Sequence, residues 1–281
     1  MKELAAWALL PVTLAASGAA TLALSAAGLR PVVVTALVVG ACAVVLAVCE
    51  RLSPVREDWL APDQPLYVDA LHYVLGNAVG VTLGYTASER LFASLGPRVG
   101  AWWPSAWPLA AQLVLAIVSS EGVAYWQHRA AHRWPWLWRF HALHHHGGNL
   151  NVVRAARFHV VDLGSAAFFT VAPLHLCGAP ERVLLLVSVL NGVQGLLDHV
   201  DARVRTPAWL DGWFCTPAVH RAHHSIERAE SDANFGTTLM VFDRLFGTYV
   251  APSGPTPARV GVVDDPTPRG FFAQVRAPFR R

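Results

Sequence analysis

The chain has 281 residues and a formal net charge of +3; it is 54% hydrophobic and only 15% charged, with a mean hydropathy of +0.37. That balance excludes an ordinary soluble domain and points to an integral membrane protein. The four cysteines exclude a disulfide scaffold, since none forms a C-x-x-C pair and Cys42 and Cys49 sit inside an apolar run.

Residues 4–29 and 31–49 carry no charged side chain, and each has the roughly 20 residues that cross a bilayer. Arg30-Pro31 is the expected turn between these two spanning helices. Lys2 ahead of the first run raises the reading of a cleaved signal. The run is longer than a usual signal core and a second follows at once, so the spanning reading is preferred. Further apolar stretches cover 70–88 and 99–120, giving about four expected spans. Two shorter ones, 163–180 and 183–197, are divided by Gly178-Ala179-Pro180-Glu181 and read as a re-entrant hairpin or as buried helices.

Arg51 and Arg56 follow the second run, while Arg129, Arg133, Arg139, Arg154 and Arg157 accompany the histidines described below. The chain ends Arg276, Arg280, Arg281. The positive-inside rule places all of these on the cytoplasmic side, against Arg90 and Arg98 on the opposite loop. Trp126, Trp134, Trp136 and Trp138 interleave with Arg and His as an interfacial belt, which leaves no isolated basic face for nucleic acid. Pro135 ends one helix and lets the chain restart before residue 141. From about residue 251 the composition, rich in Pro, Arg and Gly, predicts loop or partial disorder.

The chemistry lies in three clusters: His128-x-x-x-His132, His141-x-x-His144-His145 and His220-x-x-His223-His224. In a helix each residue advances about 100°, so each cluster projects its imidazoles from one face, and each triple reads as a tripod aimed at one point. Imidazole suits iron, copper, zinc or nickel, and a single zinc needs only four ligands, so eight rings point to two ions. His146 falls about 100° further round and is not expected among them. His72 and His175 stand alone and read as satisfied histidines.

Glu121, seven residues before His128, shares its helix face and could orient an imidazole; a capping or solvent role is equally compatible. Asp162, Asp198, Asp201 and Asp243 are further candidates for fixing ring tautomers. A zinc-protease site is disfavoured because His128-Arg129-Ala130-Ala131-His132 lacks the glutamate such a site uses as base.

At these residues the chain resembles the fatty acid hydroxylase and sterol desaturase superfamily of membrane-bound non-haem di-iron oxygenases. The resemblance rests on Tyr125-Trp126-x-His128-Arg129-x-x-His132 and Phe140-His141-x-x-His144-His145. It extends through His220-Arg221-x-His223-His224-Ser225, Asp232-x-Asn234-Phe235-Gly236 and Phe242-Asp243-Arg244-Leu245-Phe246-Gly247-Thr248-Tyr249, and covers about 50–252. It implies an all-α integral membrane bundle of about four spanning helices under a histidine-rich cytoplasmic cap. The eight clustered histidines become metal ligands and His199, at the end of an apolar run, a ninth. Departures occur at Arg157-Phe158-His159-Val160-Val161-Asp162, where the family often has His-Pro-x-Glu, and at Asp201, where relatives tend to have Asn. His159 is accordingly placed behind the ligands or at their edge, with Glu121, Asp162, Asn234 and Asp243 behind them as well.

Three segments are expected: an N-terminal transmembrane hairpin (1–49), a membrane catalytic domain (50–252) and a Pro/Arg-rich tail (253–281). The resemblance implies two iron ions (Fe2+/Fe3+, with zinc a possible substitute), O2, a membrane lipid substrate (sterol, fatty acyl chain, carotenoid or ether lipid) and hydroxylation or desaturation. An external electron donor of ferredoxin or cytochrome type is implied too, since the sequence carries no haem attachment motif, iron–sulfur cysteine set or G-x-G-x-x-G loop. The location is a bacterial-type plasma membrane, with the catalytic face cytoplasmic. The competing reading is a membrane metal-binding or metal-transport protein without oxygenase activity. Transport would place the histidines near mid-membrane, whereas here they follow the ends of spans. A non-catalytic lipid scaffold would have no use for all eight.

Overall fold

A computed structural model describes residues 2–96, 102–265 and 267–280; the expectations attached to Arg98, to position 99 and to Arg281 fall outside them. Among the described residues there is no strand, only three isolated bridges. Helices α1 (Lys2–Ala26) and α2 (Pro31–Leu52) form the first hairpin. Gly28 supplies the left-handed turn at φ 82°, and Pro31 starts α2, where its missing N–H costs nothing. Both helices turn aliphatic side chains outward, Leu4 and Val32 among them, as a lipid-facing surface requires.

Helices α3 (Leu66–Leu75) and α4 (Thr82–Ser94) are joined through a π-helical stretch, Gly76–Val81, without a non-helical residue between them. A wider turn of this kind usually accommodates a local packing demand. Here Gly80 and Gly84 lie directly against Gly164 of α7 (Val160–Cys177), and a Cβ at Gly80 would come within 2.7 Å of the Val160 carbonyl oxygen. Helix α8 (Glu181–His199) is the buried centre. It packs on α1 and α2 on one side and on α5 (Leu109–Arg133) on the other, with Val189, Val193 and Leu197 fully enclosed. Gly178, left-handed at φ 77°, closes α7, and Pro180 launches α8.

Among the described residues four helices are long and apolar enough to cross a membrane: Glu3–Ala26, Pro31–Leu52, Leu109–Arg133 and Val160–Cys177. The first two coincide with the expected spans. The expected 99–120 span instead begins at Leu109 and runs on to Arg133, because Ser119, Ser120 and Glu121 are polar without being helix breakers and the first proline after them is Pro135. The first histidine pair therefore lies on the last turns of a span, not beyond its end. Helix α7, expected within a re-entrant hairpin, qualifies as a span, and Pro173 does not end it. The expected 70–88 span is part of the interrupted α3–α4 helix.

One end of the bundle gathers the amino ends of α1, α3 and α7 and the carboxyl ends of α2, α5 and α8. The contacts that show it are Arg205 N–H on Ala6 O, Arg157 on Asp69, and Glu50 accepting from Val152 N–H at 2.6 Å and Asp201 N–H at 2.8 Å. Above this end sits a cap containing α6 (Pro135–His145), α9 (Pro217–His223), α10 (Arg228–Ser231) and α11 (Val241–Leu245). The tail, expected as loop, forms α12 (Phe271–Arg276) and joins the cap. Gly261 N–H donates to His224 O, His72 Nε2 meets Gln274 Oε1 at 2.8 Å, and His159 donates to Val275 O. Those partners lie far away in sequence, so local composition does not reveal them.

Candidate metal centre

The nine histidines singled out from the sequence are all buried and fall into two groups. His128, His132, His141, His145 and His223 form one, and His144, His199, His220 and His224 the other; within each, one nitrogen per ring lies within 4.8 Å of the others. Neither triple aims at a single point. His141 and His145 enter the first group and His144 the second, whereas His220 and His224 enter the second and His223 the first. Helical angles explain the split: positions i and i+4 differ by about 40°, but i+3 lies about 100° from i+4. The two triples thus exchange members across the centre.

Protons are assigned by the partners. The Nδ1 of His128 lies 2.8 Å from Phe235 O, that of His223 lies 2.7 Å from Ala233 O, and that of His199 lies 2.8 Å from Gly195 O. A carbonyl only accepts, so each Nδ1 carries the hydrogen and each Nε2 presents a bare lone pair. His141 Nδ1 makes the same contact with the Asp162 carboxylate at 2.9 Å. Yet His128 Nε2 is 3.1 Å from His141 Nε2 and 3.1 Å from His223 Nε2. Lone pairs so placed repel unless a cation lies between them. In the second group only the His199 proton is fixed in this way, and the Nε2 atoms of His199–His144, His199–His220 and His220–His224 stand 3.2, 3.2 and 3.0 Å apart. Two ligands at about 2.1 Å from one ion stand about 3.0 Å apart at a right angle and about 3.4 Å apart in a tetrahedron. The donor set fits transition ions in both groups.

Burial, and then the neighbouring rings, hold His144, His145 and His220 well below the usual histidine range; His224 and His223 are displaced the same way. These rings are neutral near pH 7, the form that binds metal.

The residues expected behind the rings are placed unequally. Asp162 meets His141 directly. Asp243 accepts from Phe235 N–H at 2.8 Å, Gly236 N–H at 2.7 Å and Thr248 Oγ1 at 2.7 Å, and so fixes the carbonyl that receives His128. Glu121 touches no imidazole and holds the N–H groups of Thr237 and Thr238. Asn234, at φ 55°, locks the same loop through paired bonds to Val250. Asp198 lies beside Cys215 and His220. Asp201 accepts from Arg56 N–H, away from the rings. His159 caps α7 by accepting from Val161 N–H and lies apart from both groups. His146 pairs with Asp265 and His175 with Ser88.

Two neighbours escaped the sequence reading. Phe158 stacks on His144 with centroids 3.8 Å apart and planes 17° from parallel. Trp138 packs against His132, His141 and His145; its place three and seven residues before His141 and His145 on the same helix was the available signal.

The sequence model described as fatty acid hydroxylase matches residues 113–248, which contain all nine rings. Ornithine lipid hydroxylase OlsE of Rhizobium tropici is 36% identical over 243 residues, covering 84% of this chain and 73% of that protein. The chain belongs to the fatty acid hydroxylase family. Alkylglycerol monooxygenase of Danio rerio is 31% identical over 151 residues, or 54% of this chain and 32% of that protein. Fatty acid hydroxylase vlmA of a Lecanicillium species is 30% identical over 162 residues, or 52% of this chain and 43% of that protein. No solved structure matches. Membership makes this fatty acid hydroxylase an oxygen-dependent oxidoreductase that modifies lipid, with its paired histidine groups at one end of a membrane bundle.

Proposed function

We propose that the nine imidazoles hold two iron ions and that the enzyme hydroxylates an acyl chain of a polar membrane lipid, an ornithine-type lipid being the first substrate to test. The observation that carries this reading is the convergence of Nε2 atoms 3.0–3.2 Å apart in two buried groups, with the protons of His128, His141 and His223 held on Nδ1 so that three bare Nε2 atoms face one another in the first. When bound, the iron pair supplies the redox chemistry with O2 that an unactivated C–H bond requires. The chain's own part is positioning and exclusion. Carbonyls of Phe235, Ala233 and Gly195 and the Asp162 carboxylate keep the Nδ1 protons in place and the rings aimed inward. Burial keeps bulk water from the reacting atoms. Because the groups sit where α5 and α8 end and α7 begins, an aliphatic tail can reach them from the bilayer while its headgroup stays at the interface. The arginines beside the histidines favour a cytoplasmic face in a bacterial-type plasma membrane, with electrons from a separate ferredoxin- or cytochrome-type carrier.

Support from the ornithine lipid hydroxylase rests on 36% identity over 84% of this chain. The test is mass spectrometry of lipid extracts from cells with and without the gene, with elemental analysis of the purified protein. The expected result is a polar lipid heavier by one oxygen and about two irons per chain. Loss of two hydrogens would turn the reading to desaturation, and an unchanged lipid profile with iron-loaded protein would reject this substrate class.

A further inference from the structure

The two histidine groups differ in how they are tethered. In the first, three of five rings have Nδ1 held by a fixed acceptor, and one of these is the Asp162 carboxylate. His132 has Asp232 Oδ1 at 3.7 Å from its Nδ1, close enough for charge attraction and too far for a hydrogen bond. The acceptors are themselves immobilised. Phe235 is clamped by Asp243, and the adjacent Asn234 donates its N–H to Thr248 O at 2.9 Å. In the second group only His199 is tied through Nδ1, to its own helix. The Nδ1 atoms of His144 and His220 are buried without a partner. His144 is instead steadied by the Phe158 ring, a contact that fixes the ring plane and adds nothing to ligand basicity. Asp198 and Cys215 lie beside His220, but neither bonds its Nδ1.

An acceptor behind an imidazole raises its basicity and prepays its orientation, and losing one typically costs 10–100-fold in metal affinity. We propose that the two ions are held unequally: the five-histidine group, anchored by Asp162, binds a permanent ion, and the four-histidine group binds an exchangeable one. This rests on the reading of the nine rings as ligands of two ions. It makes Asp162 and Phe158 positioning residues for different ions, although they stand four residues apart.

The test is anaerobic titration of the full-length protein, stripped of metal in detergent, with Fe2+ against a chromophoric chelator. Elemental analysis gives the stoichiometry. Two equivalents are expected, the second at least about tenfold weaker than the first. Asp162→Asn should weaken the tighter step by about 10–100-fold and leave the weaker unchanged, and Phe158→Leu should move only the weaker step. Should either variant fail to fold, His199→Gln and His141→Gln decide the matter, the first keeping one tight equivalent and the second only a weak one. Two equivalents of equal affinity, or loss of the tight step in His199→Gln, would overturn the inequality while leaving the di-iron reading intact. Protein that takes up no iron would overturn both.

Discussion

Helix α2 and helix α6 contain the same backbone hydrogen bonds and obey opposite packing rules. Helix α2 turns Val32, Val44 and Val45 outward and packs Val34, Val38 and Leu46 toward α8. Along the span, short of Glu50 at its end, these contacts are aliphatic, exchangeable and non-directional. Helix α6 exposes Trp136 and buries His141, His144 and His145, each of which needs a partner at a defined angle. In the bundle, helices meet through close packing in a solvent as apolar as they are. In the cap, stability depends on buried polar groups that tolerate no missing member. The bundle is a platform with many equivalent solutions, and the cap has one.

The largest expected effect is at Arg157, which is fully buried between Asp69, 2.5 Å away, and Asp63, 3.0 Å away. Arg157→Ala leaves buried Asp69 with only the Gln64 amide and Asp63 with Arg154 alone, and breaking a buried pair costs about 3–5 kcal/mol. Thermal unfolding in detergent should show the cap melting far below the wild type while helix content is largely kept. Cap and bundle melting together by the same small amount would remove the distinction.

Acid should act on the same region in two stages. The rings of His144, His145, His220, His223 and His224 are held neutral by burial and by one another, so protonation favours the unfolded chain. Their contribution is complete above the unfolded histidine value of about 6.5 and falls as pH drops below it. Burial alone would raise the Asp63 carboxyl, but Arg157 and Arg154 outweigh it and hold that group well below the usual carboxylate range. Its contribution is present above about pH 4 and is lost only in stronger acid. Metal release and cap unfolding followed from pH 8 to pH 3 should begin near pH 6.5 and steepen below pH 4; a flat profile to pH 4 would show that the rings do not titrate on unfolding.

The same contrast explains what could be read in advance. Leu4, Val32 and the uncharged runs announce a bundle because a bilayer imposes one composition on any span, and i, i+3, i+4 spacing announces a shared helix face. Spacing separates the i+3 ring from the i, i+4 pair; what it cannot supply is which distant rings each side meets. His144 points away from His141 and His145, and it is α8 and α9 that bring His199 and His220 to it, a placement that depends on tertiary packing. Glu50 is the clearest omission. As the first charged residue after the uncharged run of α2 it looks like a span terminus, yet it is 2% exposed and ties α2 to both Val152 and Asp201. Its signal, an acid ahead of the Arg51 that already ends the span, is weak without the fold.

Within the bundle the expected effects are smaller. Leu46 is fully enclosed against α8. In a water-soluble core Leu→Ala costs about 2–5 kcal/mol. Here part of that cost vanishes, because the separated helices would still lie in lipid and only packing is lost. Leu46→Ala should therefore lower the melting midpoint by an amount equivalent to about 1–3 kcal/mol, with iron content unchanged. Iron loss at equal helix content would mean that the bundle transmits its packing to the cap.

The smallest effect is expected at Val44, on the same helix but 66% exposed. Its side chain faces the surface that lipid covers, so Val44→Ala exchanges contacts with acyl chains for contacts with acyl chains. It opens no cavity, since the solvent fills the space, and it strands no polar group. Alanine also has the higher helix propensity, which offsets part of the lost contact. The change should stay within about 0.5 kcal/mol of the wild type in thermal melts, as surface substitutions do. Comparing Val44→Ala with Leu46→Ala holds the helix fixed and varies only which face is cut. Equal destabilisation by both would show that α2 is enclosed on all sides, by a second copy of the chain or by another protein.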